Sequence, residues 1–420
     1  MSVIEVHGPC RVKGEIKVQG SKNAVLPMMA ASVLHRGITI IDNVPRIQDV
    51  FCMMGILDSL GCFCELSGHR LTIDAGSLSA SSVSREEMER MRSSIMLLGA
   101  LLARTGEAVV YYPGGCMIGK RPIDLHLTAL EKLGAQVRKI DEEGCISAEA
   151  PSLKGAAIHF PFPSVGATEN AVFAAVAAEG SSYLSGCARE PEIDELCHFL
   201  NNMGASIRGI GSGSLVITGK LPLHDSHFTV GGDRIVAGTY LMAAAGAGGE
   251  ALVTGIESGQ LREVSEDLRR MGAVVYEEED LIYLKSEGRL KSLSVKTGPY
   301  PGFPTDLQSM MMVLMSLAGG GGTIEETIFE NRFKTALELE KLGARIKTED
   351  KKAYIYGPAS LKGTWVEASD LRGGAALVSA GLSAEGITRI KNCGYIERGY
   401  EDICEDLKSL GAGIRYIGET

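Results

Sequence analysis

The chain has 420 residues and carries 42 Lys+Arg against 52 Asp+Glu, a formal net charge of −10. That balance argues against nucleic acid or an anionic membrane as a bulk partner, and 45% hydrophobic with 22% charged residues excludes a disordered chain. Glycine is in excess, 52 of 420 or about 12% against a usual ~7%, and aromatics are only 5%, so the interior is expected to pack from small aliphatic side chains and tight turns.

Roughly 150 residues per domain predicts two or three domains. The N-terminal stretch MSVIEVHGPCRVKGEIKVQG alternates like a strand and holds no signal-peptide core, and no run of about 18 apolar residues follows it. Neither export nor membrane insertion is expected. Ten cysteines lack CxxC pairs or zinc-ligand spacing, and eight histidines include no HExxH. A reduced, cytoplasmic protein without metal or cofactor is the expectation; oligomeric state is left open.

Taken in chain order, one unit recurs six times. An amphipathic segment ending in Leu-Gly or Met-Gly and running into a strand is found as ILDSLG, ALEKLG, HFLNNMG, DLRRMG, ELEKLG and DLKSLG, with glycines at 61, 134, 204, 272, 343 and 411. Their spacing is 68 to 73 residues, and glycine at the end of a helix fits a left-handed C′ residue. Each unit also holds a second helix that is apolar on nearly every face, such as AVLPMMAASVL or LQSMMMVLMSLA, followed by a strand such as ITIID or EAVVYY. A helix apolar all round must be buried. A doubly wound sheet would not need six of them, so the expected fold is α/β with buried helices inside and strands outside, in two pseudo-threefold halves. The Gly/Ser-marked stretch 209–226 is the expected boundary.

Each buried helix is headed by a polar cluster: Ser21-Lys22-Asn23, Arg92-Ser93-Ser94, Ser164-Val165-Gly166, Asp233-Arg234, Thr305-Asp306 and Ser369-Asp370-Leu371-Arg372. Ser21, Thr305 and Ser369 are explained by ordinary capping. Lys22, Arg92 and Arg372 stand at the positive end of a helix dipole, where a cation is mildly unfavourable, and point to a bound anion. The densest chemistry lies in the segment Pro113 to His126, PGGCMIGKRPIDLH, whose centre cannot be helical. Cys116 is close in sequence to Lys120, Arg121 and His126, a setting that lowers a thiol pKa and suits a nucleophile or proton donor. Asp306 is either a stabilising first-turn carboxylate or a general base. Arg332, Arg398 and His126 are further candidates.

Read together, GSKNAVLP, MRSSI, PGGCMIGKRPIDLH, PSVGAT, AREPEI, FPTDLQ, FENRF, SDLRGG and ERGYED resemble the UDP-N-acetylglucosamine 1-carboxyvinyltransferase family over about residues 5 to 417. The resemblance implies an EPSP synthase-like fold of two inside-out α/β domains, residues 22–228 and residues 1–21 with 229–420. It implies transfer of enolpyruvyl from phosphoenolpyruvate to the 3′-hydroxyl of UDP-N-acetylglucosamine, the first committed step of peptidoglycan synthesis, with no cofactor. By the same resemblance Cys116 is the general acid, forming a covalent adduct with phosphoenolpyruvate, and Asp306 takes the hydroxyl proton. Lys22, Arg121 and Arg398 bind phosphoenolpyruvate and its phosphate, and Arg372 holds its carboxylate. Asn23 lies near the reacting centre; Arg92, Arg121, Pro122, Ile123, Asp124, Leu125, Ser164, Val165 and Ile328 bind the UDP-sugar, and Arg332 joins the substrate-binding set. Some family members carry a lysine where this chain has Phe162. Two rivals remain: the related transferase acting on shikimate 3-phosphate, whose sequences lack the PGGC loop, and a binding-only copy, which would have no reason to keep both Cys116 and Asp306.

Overall fold

The computed structural model describes residues 3–112, 114, 119, 122–140 and 142–418. They fall into two compact units: a terminal unit of residues 3–19, 119 and 232–418, and a middle unit of the remaining residues between Gly20 and Gly231. Each has its own hydrophobic core, one holding Leu26, Met29, Leu98 and Phe173, the other Tyr240, Met311, Leu377 and Tyr400.

The six amphipathic segments form helices Gln48–Ser59, Asp124–Lys132, Pro191–Asn202, Arg262–Met271, Lys334–Lys341 and Ile403–Ser409. The six predicted glycines follow them with φ between +87 and +106 (Gly411 and Gly272). A side chain in that left-handed region costs roughly 1–2 kcal/mol, so glycine is what lets each helix stop and turn into its strand.

The six apolar segments form helices Lys22–Ala31, Leu97–Thr105 and Val165–Ala177 in the middle unit, and Arg234–Gly246, Gln308–Leu317 and Leu371–Ser383 in the terminal unit. Arg234 to Ala245 are buried without a break. Small residues let these helices touch: a Cβ on Gly99 would come within 2.7 Å of the Asn170 carbonyl oxygen, which explains a mid-helix glycine despite its ~1 kcal/mol propensity cost.

Outside them lie six sheets of one design. The strand that leaves a buried helix sits second; a parallel strand borders it on one side and an antiparallel pair on the other. In the middle unit Ile38–Asp42 lies between Ser226–Thr229 and Arg70–Asp74, and Ser181–Ser185 between Ala157–His159 and Ser214–Thr218. The third sheet there, Glu107–Tyr111 with Cys145–Glu149 and Gln136–Ile140, has its parallel edge reduced to a bridge from Ser82 to Val109. Along each strand alternate residues turn inward, as Ala108 and Val110 do, which is the period-2 pattern of a half-buried sheet. The glycine-serine stretch after 209 is not where the chain passes between units. Gly209, Gly211 and Gly213 take positive φ in the turn between strands Ser206–Arg208 and Ser214–Thr218, and the crossings fall at Gln19–Gly20 and Gly231–Gly232.

In the terminal unit the last sheet takes its third strand from the other end of the chain. Val3–Gly8 lies between Gly386–Lys391 and Gly413–Ile417, antiparallel to both. Glu5 stands opposite Arg389 on one side and Arg415 on the other, and its carboxylate pairs with them at 2.9 and 2.7 Å and with His7 at 2.9 Å. Hydrogen bonds from His7, Arg415 and Arg389 hold the Glu5 carboxyl down at about 2. A depressed acid pKa adds stability that is present above the unfolded-state value near 4.5 and lost as pH falls through the folded value. Glu5→Gln is therefore expected to lower the melting temperature at neutral pH, with the gap to the parent closing as pH falls from about 4.5 toward 2; a gap independent of pH would assign the loss to packing.

Candidate active site

In the middle unit the candidate groups gather at the starts of the buried helices. Lys22 opens helix Lys22–Ala31 and is buried, its Nζ 2.6 Å from Oδ2 of Asp49, itself in the first turn of helix Gln48–Ser59. Asn23 is half-buried on the same first turn. Arg92 opens the 3-10 turn Arg92–Met96 ahead of helix Leu97–Thr105, and burial pulls its guanidinium below the ordinary value.

Ser164 caps helix Val165–Ala177, its hydroxyl accepting from the Ala167 N–H. Phe162, just before it, presents an aromatic ring that is 43% exposed. His126 packs against the start of this helix, where a Cβ on Gly166 would lie 2.8 Å from its ring. Asn170 lies 2.9 Å from His126 Nδ1 and accepts from the Gly99 N–H at 2.6 Å. Burial, then the charge of Arg92, brings His126 down to about 4, so it is a neutral, internally bonded residue rather than an available ligand. Glu169, one turn into the helix, is buried with Oε2 3.9 Å from that same Gly166 position. Burial, then the charges of Glu192 and Glu190, pushes it up to about 8.

Cys116 and Arg121 lie outside the described residues. Beyond them Pro122 and Asp124 are exposed, and Asp124 pairs with Lys139 at 2.8 Å at the start of helix Asp124–Lys132. Ile123 turns its side chain into the core and Leu125 packs against it, so what Ile123 can offer a ligand is backbone.

In the terminal unit the centre of charge is Asp306, in the 3-10 turn Thr305–Leu307 ahead of helix Gln308–Leu317. Arg332 donates to its Oδ1 at 2.5 Å and Arg372 to its Oδ2 at 3.1 Å. Both guanidiniums are buried, whereas the Asp306 side chain keeps 27% of its surface. Arg332 also reaches Asp370 at 3.8 Å, and Tyr400 supports Arg372 from behind while its hydroxyl meets Thr239 Oγ1 at 2.8 Å. Ile328 sits on the neighbouring loop. Arg398 ends the turn Cys393–Arg398, and Gln19 bonds the backbone just after it, donating to Gly399 O at 3.1 Å and accepting from Glu401 N at 2.9 Å.

Two expectations change. Ser21 and Thr305 make no side-chain cap, and the residue capping helix Leu371–Ser383 is Asp370, which accepts from the N–H groups of Arg372 and Gly373, not Ser369. The cations at helix starts also do not need an outside anion to be tolerated, since Asp49 faces Lys22 and Asp306 faces Arg372.

Sequence reasoning missed the carboxylates that hold the site together. Glu326, buried at the end of strand Gly320–Glu325, accepts from the N–H groups of Ile328 and Phe329 at 2.8 and 3.1 Å and from Thr305 Oγ1 at 2.9 Å. It ties the loop bearing Ile328 to the turn bearing Asp306. Its signal was an acidic pair at a strand end, and that of Asp49 a first-turn acid on an amphipathic helix; both patterns ordinarily mean surface.

Among the described cysteines burial raises the thiols, those of Cys62, Cys187 and Cys393 to about 11 and those of Cys197 and Cys404 to about 12. No group of three or more His, Cys, Asp or Glu among the described residues could hold a metal ion.

Residues 6–407 match the family model of EPSP synthase (3-phosphoshikimate 1-carboxyvinyltransferase). A UDP-N-acetylglucosamine 1-carboxyvinyltransferase of Symbiobacterium thermophilum is 47% identical over 98% of this chain and 94% of its own, and one of Carboxydothermus hydrogenoformans is 43% identical over the whole of both. Among solved structures the enolpyruvyl transferase NikO of Streptomyces tendae superimposes with a TM-score of 0.89 at 26% identity, covering 99% of this chain and 98% of that one. EPSP synthase of Acinetobacter baumannii, 20% identical, covers both chains fully with a TM-score of 0.75 and shares the fold. The chain thus has an EPSP synthase-like α/β fold and belongs to the EPSP synthase family of enolpyruvyl transferases, among its UDP-N-acetylglucosamine 1-carboxyvinyltransferases.

Proposed function

We propose that the protein transfers the enolpyruvyl group of phosphoenolpyruvate to the 3′-hydroxyl of UDP-N-acetylglucosamine, releasing phosphate, in the cytoplasm. Each unit is read as one inside-out α/β barrel of three repeats. The observation that carries the reading is Asp306, a partly exposed carboxylate at a helix start clasped by two buried guanidiniums, in a chain full-length alignable with carboxyvinyltransferases.

The roles are those that the family resemblance implies. Asp306, oriented by Arg332 and Arg372, accepts the sugar hydroxyl proton as the oxygen attacks C2 of phosphoenolpyruvate. Cys116 delivers a proton to the methylene carbon, giving a tetrahedral adduct; loss of a methyl proton and of phosphate restores the double bond. Lys22, Arg121 and Arg398 face the phosphate and the charge that develops there, and Arg372 the carboxylate. Fixed cations of this kind are usually the largest catalytic contribution. Asn23 lies beside the reacting atoms. Arg92, Pro122, Ile123, Asp124, Leu125, Ile328 and the helix start at Ser164 and Val165 hold the UDP-sugar.

With Phe162 in place of a cation, the diphosphate depends on the N–H groups at the start of helix Val165–Ala177. A pKa of about 8 keeps Glu169 neutral there at pH 7, so the positive helix end is not cancelled by a buried carboxylate.

Phosphate release from phosphoenolpyruvate is expected with UDP-N-acetylglucosamine and not with shikimate 3-phosphate, and Asp306→Asn is expected to slow it by about 10²–10⁴-fold. Release only with shikimate 3-phosphate would overturn the acceptor. Fosfomycin is expected to label Cys116 and not the buried thiols; mass spectrometry of Cys116→Ser should find no adduct. The KM for the UDP-sugar is expected to rise as pH climbs past about 8, because Glu169 ionises there, and Glu169→Gln should remove that rise; an identical pH profile in the variant would remove Glu169 from the binding site.

A further inference from the structure

The three buried helices of the middle unit converge at their C-terminal ends on a cavity of about 320 Å³, lined by Leu34, His35, Arg36, Arg104, Val176 and Lys220 among others. It lies at the opposite ends of those helices from Lys22, Arg92 and Ser164. Its size is at the lower end of the roughly 300–1,000 Å³ usual for small-molecule pockets.

Charge sets it apart. Two of its basic groups are met inside the protein: His35 Nε2 is 3.0 Å from Asp225 Oδ1, and Lys220 pairs with Glu179. The other two are not. Arg104 donates at 3.0 Å to the neutral carbonyl of Ala75, and Arg36 has no hydrogen bond or ion pair among the described residues. Burial, and then the neighbouring charge of Arg36, works against the Arg104 guanidinium. Like charges held together beside a cavity in an acidic protein are unfavourable without a counter-ion.

Arg104 stands in the last turn of helix Leu97–Thr105, where the helix dipole favours a cation. Neither guanidinium is bonded to a final helix carbonyl. In the terminal unit the equivalent helices run out in AGAGG, LAGGG and SAEG with no cation of their own, and where an arginine serves such an end, Arg11 donates directly to Gly248 O at 2.6 Å. Lys220 adds a second oddity: its φ is +57, a left-handed backbone that a lysine rarely adopts, fixed by its N–H bond to Val176 O at 2.8 Å.

We propose that this cavity binds a small, multiply charged anion of the phosphate-monoester class, with Arg36 and Arg104 as paired donors and Lys220 at the edge. Planar guanidiniums suit the tetrahedral oxygens of such a group. The site is separate from the reaction centre proposed above and does not depend on it.

Crystals of the full chain soaked in tungstate, a heavy phosphate mimic, are expected to show an anomalous peak between Arg36 and Arg104. Calorimetric titration with inorganic phosphate is expected to reveal a binding event weakened about tenfold or more by the pair Arg36→Gln and Arg104→Gln. Arg36→Gln alone alters an exposed side chain and is expected to give part of that loss without affecting the melting temperature. Tungstate found only elsewhere, or phosphate binding unchanged in the folded single and double variants, would overturn the site.

Discussion

A helix buried on every side can meet water or a ligand only at its two ends. Among the described residues six such helices occupy the two cores, and their flanks are mostly small apolar groups packed against one another, with a few internally bonded polar side chains such as Asn170. The four N–H groups at each start and four carbonyls at each end cannot be satisfied along the sides. Most polar chemistry is thereby drawn to the ends, and the candidates Lys22, Arg92, Asp306 and Arg372 stand at one set of them.

Apart from the hydroxyl cap at Ser164, the starts described are handled by carboxylates and charge pairs. In the terminal unit Asp306 lies between two arginines and Asp370 caps the first turn of its helix; in the middle unit Lys22 lies against Asp49. Isolated, any of these ions would be expelled or neutralised. Paired, they hold their positions before substrate arrives, so little reorganisation is left for the reaction itself. Glu326 extends the same logic to a loop, using a buried carboxylate where a strand would have used backbone partners.

Much of this was legible in the chain. The six Leu-Gly and Met-Gly endings marked helix stops because left-handed backbone nearly demands glycine, and the apolar helices declared their burial by having no polar face. Lys22 and Arg372 were visible because cations at the head of an apolar helix are anomalous, and Asp306 because the segment FPTDLQ resembles the family's. What was not visible was pairing across sequence distance. Nothing local distinguishes Asp49 from a surface acid, or says that Glu326 turns inward, since both depend on which elements become neighbours. The Gly/Ser run after 209 misled for a related reason: turns and linkers share a composition, and only strand pairing separates them.

The placement of strand Val3–Gly8 sets an order for the making of the molecule. The middle unit is continuous from Gly20 to Gly231 apart from residues of the 113–121 segment, so a ribosome releases what it needs in one stretch. The terminal unit differs. Its strand Val3–Gly8 leaves the ribosome long before the two strands it must join, Gly386–Lys391 and Gly413–Ile417. The opening residues must wait, unpaired, through nearly the whole synthesis, carrying an alternating apolar edge of the kind that invites mispairing. The last sheet can close only when all three strands are present: without Gly386–Lys391 and Gly413–Ile417, strand Val3–Gly8 has no partner.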